Sequence, residues 1–558
     1  MNRSFAVCGF AVLTLALVAF GTAATASAES KDVNKPTPNP YLSSSLYGIT
    51  HFDSSASDSI PYGPPRGVFS ADLAKQPVCL GGPTEIMTLA STDPKYMWQA
   101  SSDRVGYVNV QEGKWFTVAT YQALTNASGG YFPEIPDTTF RAFGESTAAG
   151  MTVSSMDSYL KGLLGDSYAA RFGQGVYTLV DNRNVLYANY AGNLYGFALK
   201  DRKHPEAGIT VSYRLQNVVS AIQGVTPGQN GPYVVGLSMT YDGHLIVTFT
   251  NGIAVIDRDL TLKINSFYPF GTGEMVTNSL CVDEKNGIYV ASNLVMRKLV
   301  WTGTSLSDMA SDGAWSSTYD NSGTAMPPII KAMNGTGSTP TLMGFGNDPD
   351  KLVVITDGAK QMKLVAFWRN AIPAGFTNRI AGQIQVTCGF NPLPEWIQSE
   401  QSVVVKGYGA FVVNNIPQNV PDELKAVSKD RLLAVLLMGP AYTTSYGVER
   451  FQWDPKKHKW SSSWARPDVS STSMVPIHSD AGNMAIINGY RPEWGWEVLG
   501  MDWDTGKTVH WTIFGNDNFG NGAYALLQYL KNGDLVFNSI AGSIRVNYKH
   551  RNQCEIID

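Results

Sequence analysis

Seven histidines stand in the 558 residues, and their surroundings separate two of them from the rest. His51 lies in the run Gly48-Ile-Thr-His-Phe-Asp53, with Asp58 following. An imidazole beside carboxylates suits general acid/base work, because its ordinary pKa lies near neutrality. His51 and Asp53 are therefore candidate catalytic residues; a capped turn anchoring the segment is the rival reading. His478 follows Val475-Pro-Ile and precedes Ser479 and Asp480, on what reads as a strand lining a channel, and is the third candidate. A core histidine satisfied within the fold is the alternative there. His204, His458 and His550 each lie within two residues of Lys or Arg, and His244 occupies a hairpin turn. Solvation explains the first three.

The candidate ligand-binding residues are Asn278, Thr339, Glu449 and Arg450. Asn278 precedes Leu280 and Cys281 on an expected inner strand, and Thr339 opens another. Glu449 and Arg450 read either as a charge pair in a cavity or as an ion pair between neighbouring units. No G-x-S-x-G elbow, phosphate loop or HExxH occurs. Asn516-Asp517-Asn518-Phe519-Gly520-Asn521 is rich in oxygen but lacks the spacing of a calcium loop. No motif defines a metal ligand set.

The charge balance excludes other classes. Lys and Arg number 42 against 46 Asp and Glu, a net charge of -4, and only 16% of residues are charged. A nucleic-acid binder driven by a basic surface is excluded, and so are a disordered chain and a coiled coil. A small-molecule ligand or a protein partner remains. Residues 1–28 read as a signal peptide: Arg3, then an apolar run from Phe5 to Phe20, then Ala26-Ser27-Ala28. A secreted or periplasmic protein is expected. No later stretch approaches the 18 apolar residues of a membrane span. Removing the leader takes Cys8 and leaves Cys79, Cys281, Cys388 and Cys554, enough for two disulfides in an oxidising compartment. Four buried thiols are the alternative. No CxxCH is present, so a covalently attached c-type haem lacks its ligands.

Short strands must position these groups. Four stretches, beginning at Asp181, Tyr241, Asp283 and Lys531, can be laid over one another. Each has an Asx-Gly-like turn, an alternating strand, a second tight turn and a second strand. Less regular copies begin near Arg104, Thr339, Val403, Leu433 and Ala485. Units recurring at roughly 40 to 60 residues match four-stranded propeller blades. The reading is all-β: a seven- or eight-bladed β-propeller over 82–558, preceded by an N-terminal arm over 29–81. A helical insertion falls at about 121–172, with Ser155–Leu164 as its helix, because Ser154 and Asp157 have capping-box spacing.

Met501-Asp-Trp-Asp-Thr-Gly-Lys-Thr-Val-His-Trp511 resembles the tryptophan-docking motif of quinoprotein alcohol dehydrogenase-like propellers. Asp502, Thr505, Gly506 and Lys507 match in place; Trp511 stands one residue late, with His510 at the motif position. Ser338-Thr-Pro-Thr-Leu-Met and Tyr446-Gly-Val-Glu-Arg-Phe-Gln-Trp are similar to uncharacterised secreted members of that superfamily. The resemblance implies a docking tryptophan packed against a neighbouring blade. The cofactor is left unknown: the adjacent cysteine pair on which those enzymes stack pyrroloquinoline quinone is missing, which disfavours that quinone, as the missing CxxCH disfavours haem. Sulfotransferase-like and sugar-lactonase-like propellers are further likenesses. The lactonases hold a divalent cation through Glu, Asn and Asp near the axis, and Asn278 resembles that arrangement, which leaves a calcium ion open. The expected function is an axial small-molecule site, as an enzyme on a small organic substrate or as a non-catalytic ligand- or protein-binding scaffold.

Overall fold

The Asx turns of the repeated signature close hairpins. Leu186–Tyr190 pairs antiparallel with Asn193–Leu199, and Leu245–Phe249 with Gly252–Ile256. Gly287–Ala291 likewise pairs with Val295–Trp301, and Leu535–Ser539 with Gly542–Val546. Asp283 shows why an aspartate opens such a unit. Its Oδ1 accepts from the backbone N–H of Lys285 and Gly287 at 2.9 and 2.8 Å, which fixes the turn before the strand begins. Leu245–Phe249 and Gly252–Ile256 are buried at every position. Strands covered on both faces read as apolar runs rather than alternation.

The computed structural model describes residues 34–549 except 83–85, 127, 131–134, 148–150, 167, 169–173, 227–230, 324–330, 332, 419, 427–430 and 443. The expected leader and Cys554 lie outside the described residues. Those described form eight sheets, in chain order 87–121, 179–215, 234–269, 281–318, 341–385, 404–470, 477–515 and 527–546. Each is built on four strands. The first and eighth sheets meet: Gln528 Nε2 donates to the Thr88 carbonyl (2.9 Å) and Trp115 Nε1 to that of Ser543 (2.8 Å). The array closes on itself, a propeller-like arrangement that protects its edges.

The N-terminal segment completes the last two sheets. Ser59–Ile60 runs parallel to Ile477–Ser479, and Gly67–Ser70 parallel to Thr508–Gly515. Val78–Leu80 then supplies the outer strand of the eighth sheet, antiparallel to Gly542–Val546.

Before that, residues 39–60 bond to the first strand of every sheet or to the residue just beyond it. Asn39 Nδ2 donates to the Met239 carbonyl (3.0 Å), Ser43 N–H to Val180 (2.8 Å), and Tyr47 hydroxyl to Tyr529 (3.0 Å). In the other direction, the N–H groups of Ala90, Val282, Leu342, Val405 and His478 donate to the carbonyls of Tyr47, Ser54, Ser55, Ser57 and Asp58, at 2.7–3.0 Å. So tight a path needs sharp reversals. Tyr47, His51, Phe52, Ala56 and Asp58 all lie in the left-handed region, at φ 63°, 65°, 75°, 54° and 52°. That conformation costs a residue with a Cβ, and burial of Tyr47, Ile49, Phe52 and Ile60 offsets it.

Among the described residues, helices of seven or more residues occur in two connections. Between the first and second sheets lie Asp137–Thr147 and Val153–Leu164. The second begins two residues before the expected Ser155, because Thr152 is its cap: the Thr152 hydroxyl accepts from Ser155 N–H at 3.2 Å. Within the sixth sheet's connection, Arg431–Leu437 is also helical. The hairpin expected near Leu433 is therefore corrected. A short apolar run without turn residues fits either period, and Leu433–Met438 shares one core cluster with Met156 and Leu160.

The docking-like turn joins Gly495–Asp502 to Thr508–Gly515. Asp502 Oδ1 accepts from Thr505 N–H and hydroxyl (3.1 and 2.9 Å). Gly506 sits at φ 73°, and a Cβ there would lie 2.7 Å from the Trp464 ring of the sixth sheet. Trp511 is half-buried against the cluster shared by the sixth and seventh sheets, and its Nε1 donates to Glu497 Oε2 (2.7 Å).

Cys79, Cys281 and Cys388 are buried free thiols, so two disulfides do not form. They lie in three different core clusters, each in its own sheet contacts. At least three thiols should therefore react with a thiol reagent in denaturant without reductant, and none of these three in the native protein. One reactive thiol or fewer after denaturation would refute this.

Candidate functional site

A cavity of about 480 Å³ lies at the N-terminal ends of the first strands. Residues 50–51 reach it from the segment that bonds to every sheet. Polar groups come from Tyr177, Asn189, Thr277, Asn278 and Glu400–Ser402; Met87, Val475 and Leu526 form an apolar wall on another side.

His51 supplies the imidazole in this lining. Its Nδ1 lies 3.0 Å from both carboxylate oxygens of Asp58. A carboxylate only accepts, so Nδ1 carries a proton, and in the neutral ring Nε2 holds the lone pair. Nε2 stands 3.5 Å from Thr339 Oγ1. The ring is near-parallel to Tyr177 at 6.0 Å. Tyr177 hydroxyl donates to Asn278 Oδ1 (2.7 Å), and Asn278 Nδ2 donates to the Gly337 carbonyl. His51, Thr339, Tyr177 and Asn278 therefore form one polar patch. Asp58 is wholly buried; desolvation raises its pKa to about 6, against the pull of His51.

Asp53 is corrected from partner to scaffold. It does not line the cavity; its Oδ1 accepts from Ser55 N–H (2.8 Å) and hydroxyl, and its Oδ2 from Ser57 hydroxyl. The positive φ values at His51 and Phe52 turn the chain so that Asp58, not Asp53, meets the imidazole.

His478 is corrected too. Its backbone holds Asp58 in place, but its ring packs edge-on against Trp503 at 4.6 Å, outside the lining. Neither ring nitrogen makes a hydrogen bond, and burial lowers its pKa to about 3. Its Nδ1 stands 3.6 Å from Asp480 Oδ1, too far for a hydrogen bond, so the buried ring is polar without a hydrogen-bond partner, which costs stability. His478→Phe is expected to hold or raise stability in urea unfolding, by up to about 2 kcal/mol, with ligand affinity unchanged. A loss of affinity would return His478 to the site.

Glu449 and Arg450 point to opposite faces of Tyr446–Asp454, away from the cavity. Glu449 accepts from Thr387 N–H, Cys388 N–H and Ser462 hydroxyl, at 2.6–2.7 Å. Arg450 lies over the Trp503 ring at 5.0 Å and donates to Ser463 (2.7 Å). Both are structural ties, because adjacent strand residues alternate faces.

Glu400 is a lining carboxylate that the sequence reading passed over. The polar run Gln398-Ser-Glu-Gln-Ser402 directly before the Val403-Val-Val strand was its available signal. Behind it, Lys331 is buried, donating to Gln398 Oε1 (2.5 Å) and the Gly335 carbonyl. Desolvation lowers its pKa to about 8, opposed by Glu400 and Asp357.

No described cysteine lines the cavity, so the residues present offer no adjacent-cysteine platform for a quinone. Among the described residues no three His, Cys, Asp or Glu side chains cluster as a metal site, and no helix is long and apolar enough to cross a membrane.

No known family model matches the chain. An uncharacterised protein of Archaeoglobus fulgidus is 31% identical over 332 residues, covering 57% of this chain and 61% of that one. The chain thus matches less than two thirds of that relative's length. The fold is similar to quinohemoprotein alcohol dehydrogenase from Comamonas testosteroni, with TM-score 0.46, 10% identity, and 94% and 83% of the two chains covered. A europium-containing methanol dehydrogenase gives 0.44, 9%, and 89% of each. The periplasmic gluconolactonase PpgL of Pseudomonas aeruginosa gives 0.38, 11%, and 71% and 86%. Likeness at this level says nothing about the reaction.

Proposed function

We propose that the eight sheets are the blades of an exported β-propeller, with residues 39–60 as an arm across its axis. Its cavity takes a small organic molecule, on which His51 acts as general base. The observation that supports this is the His51–Asp58 pair. A buried carboxylate fixes the tautomer, leaves Nε2 for the substrate, and stabilises the imidazolium once a proton is taken. The strained backbone at His51, Phe52 and Asp58 is held where the ring reaches the cavity.

Within that site, Thr277 and Asn278 orient the molecule and Glu400 is a second group able to accept or return a proton. The pattern suits hydrolysis through an activated water, or proton transfer in an isomerisation; neither needs a covalent protein nucleophile. The oxygens at Asn278 and Glu400 are also the place where a calcium ion would be sought.

The test is a thermal-shift screen of alcohols, lactones and hydroxy acids, followed by turnover assays on each hit. His51→Gln should retain the fold and lose turnover by about 10²–10⁴-fold. A hit bound and unaltered by the wild type would make the propeller a binding scaffold. A hit turned over equally by His51→Gln would remove the histidine from the chemistry.

A further inference from the structure

Two features of the cavity remain unexplained by a purely polar ligand. The first is a second apolar wall, formed by Val218 and Val219 after the second sheet and by Pro232, Val234 and Val235 at the start of the third. The second is what lies beyond it. Tyr233, on the lining itself, is 62% exposed, and Met275, two residues before Thr277, is 46% exposed. Leu294 is 38% exposed, and its neighbour Asn293 exchanges hydrogen bonds with Met275 in both directions, N–H to carbonyl (2.9 Å) and Oδ1 from N–H (2.8 Å). Tyr233 thus stands in water on the lining beside Val234, with Met275 and Leu294 exposed on the segment that leads to Thr277 and on the turn bonded to it. Exposed apolar surface beside an apolar cavity wall marks a place that a ligand covers.

The head region carries its own restriction. Among the described lining residues Glu400 is the only carboxylate and no Lys or Arg joins it there, the buried Lys331 standing behind it. An anionic head would meet a like charge; a hydroxylated neutral head would meet hydrogen-bond partners at Thr277, Gln401 and Ser402.

We infer that the ligand is an amphiphile with a neutral, hydroxyl-bearing head and a single alkyl tail. The head sits against His51 and Asn278, and the tail lies along Val218, Val219, Val234 and Val235 toward Tyr233 and Met275. This rests on the axial cavity being the ligand site, and deepens that reading by naming the class of molecule.

The test is calorimetric titration with n-alkyl glucosides from butyl to octyl, each below its micelle-forming concentration, beside the alkanoates of equal length. Affinity should tighten about fourfold per added methylene, the worth of one fully buried CH₂. The alkanoates should bind about tenfold more weakly, from the charge of Glu400. Val219→Asn and Tyr233→Ser, both at partly or fully exposed positions, should flatten the dependence on length with unchanged melting. A flat series in the wild type, an unchanged slope in both variants, alkanoates as tight as glucosides, or no binding by any glucoside would each overturn the inference. The two readings fail separately. Polar hits that depend on His51 without any effect of tail length sink the amphiphile alone. A tail-dependent series with every turnover indifferent to His51→Gln sinks the base alone.

Discussion

Asp58→Asn is expected to make the protein more stable at pH 8 and to silence it at the same time. In the unfolded chain Asp58 titrates near 3.8; desolvation raises it to about 6 in the fold. Folding therefore favours the protonated acid. That contribution is present in full below about pH 3.8 and is lost as pH rises through about 6. At pH 8 the wild type carries a buried carboxylate that asparagine does not. The variant should gain on the order of 2 kcal/mol there, and the gap should close below pH 4. Urea unfolding at the two pH values measures it. Turnover moves the other way. Asparagine cannot stabilise an imidazolium, so the rate should fall by about 10²–10⁴-fold, and the wild-type rate should decline below about pH 6 as Asp58 takes its proton. A variant less stable than wild type by the same margin at pH 4 and pH 8 would show that the carboxylate carries no such penalty.

Removing residues 34–60 should have the largest effect on stability. Leu42, Tyr47, Ile49, Phe52 and Ile60 are all buried in this stretch. At 1.5–3 kcal/mol each, their burial contributes roughly 10 kcal/mol, comparable with the whole stability of an ordinary domain. The truncated chain should fail to give a cooperative melt. Within the full chain, Phe52→Ala should cost about 3–5 kcal/mol, because its ring is fully buried. A cooperative melt for the truncated chain within a few degrees of wild type would mean that the eight sheets hold themselves together unaided.

The hairpins were legible because their cause is local. Asp283 bonds to residues two and four positions ahead of it, and any reader of Asp-Glu-Lys-Asn-Gly can anticipate that turn. The same holds at Asp181, whose Oδ1 takes the N–H of Arg183 and Val185. His51 has two carboxylates near it in sequence, Asp53 and Asp58, and the sequence does not choose between them. Asp53 is nearer in sequence, and only left-handed backbone at four positions between 51 and 58, none of them glycine, brings Asp58 around. His478 sits on the first strand of the seventh sheet, yet strand residues alternate faces, and register sends its ring to Trp503. The closure of the last two sheets by residues 59–80 left no sequence mark, since those pairings join stretches more than 400 residues apart.

That closure sets an order in time. The stretch that bonds to every sheet is synthesised long before its partners at His478 and Tyr529. Tyr47 waits for a carbonyl 482 residues downstream. Until the final sheet exists, the early segment has nothing to close upon, and contacts of such separation form slowly. The chain cannot finish its fold stepwise as it emerges. It completes itself only once its last sheet has been made.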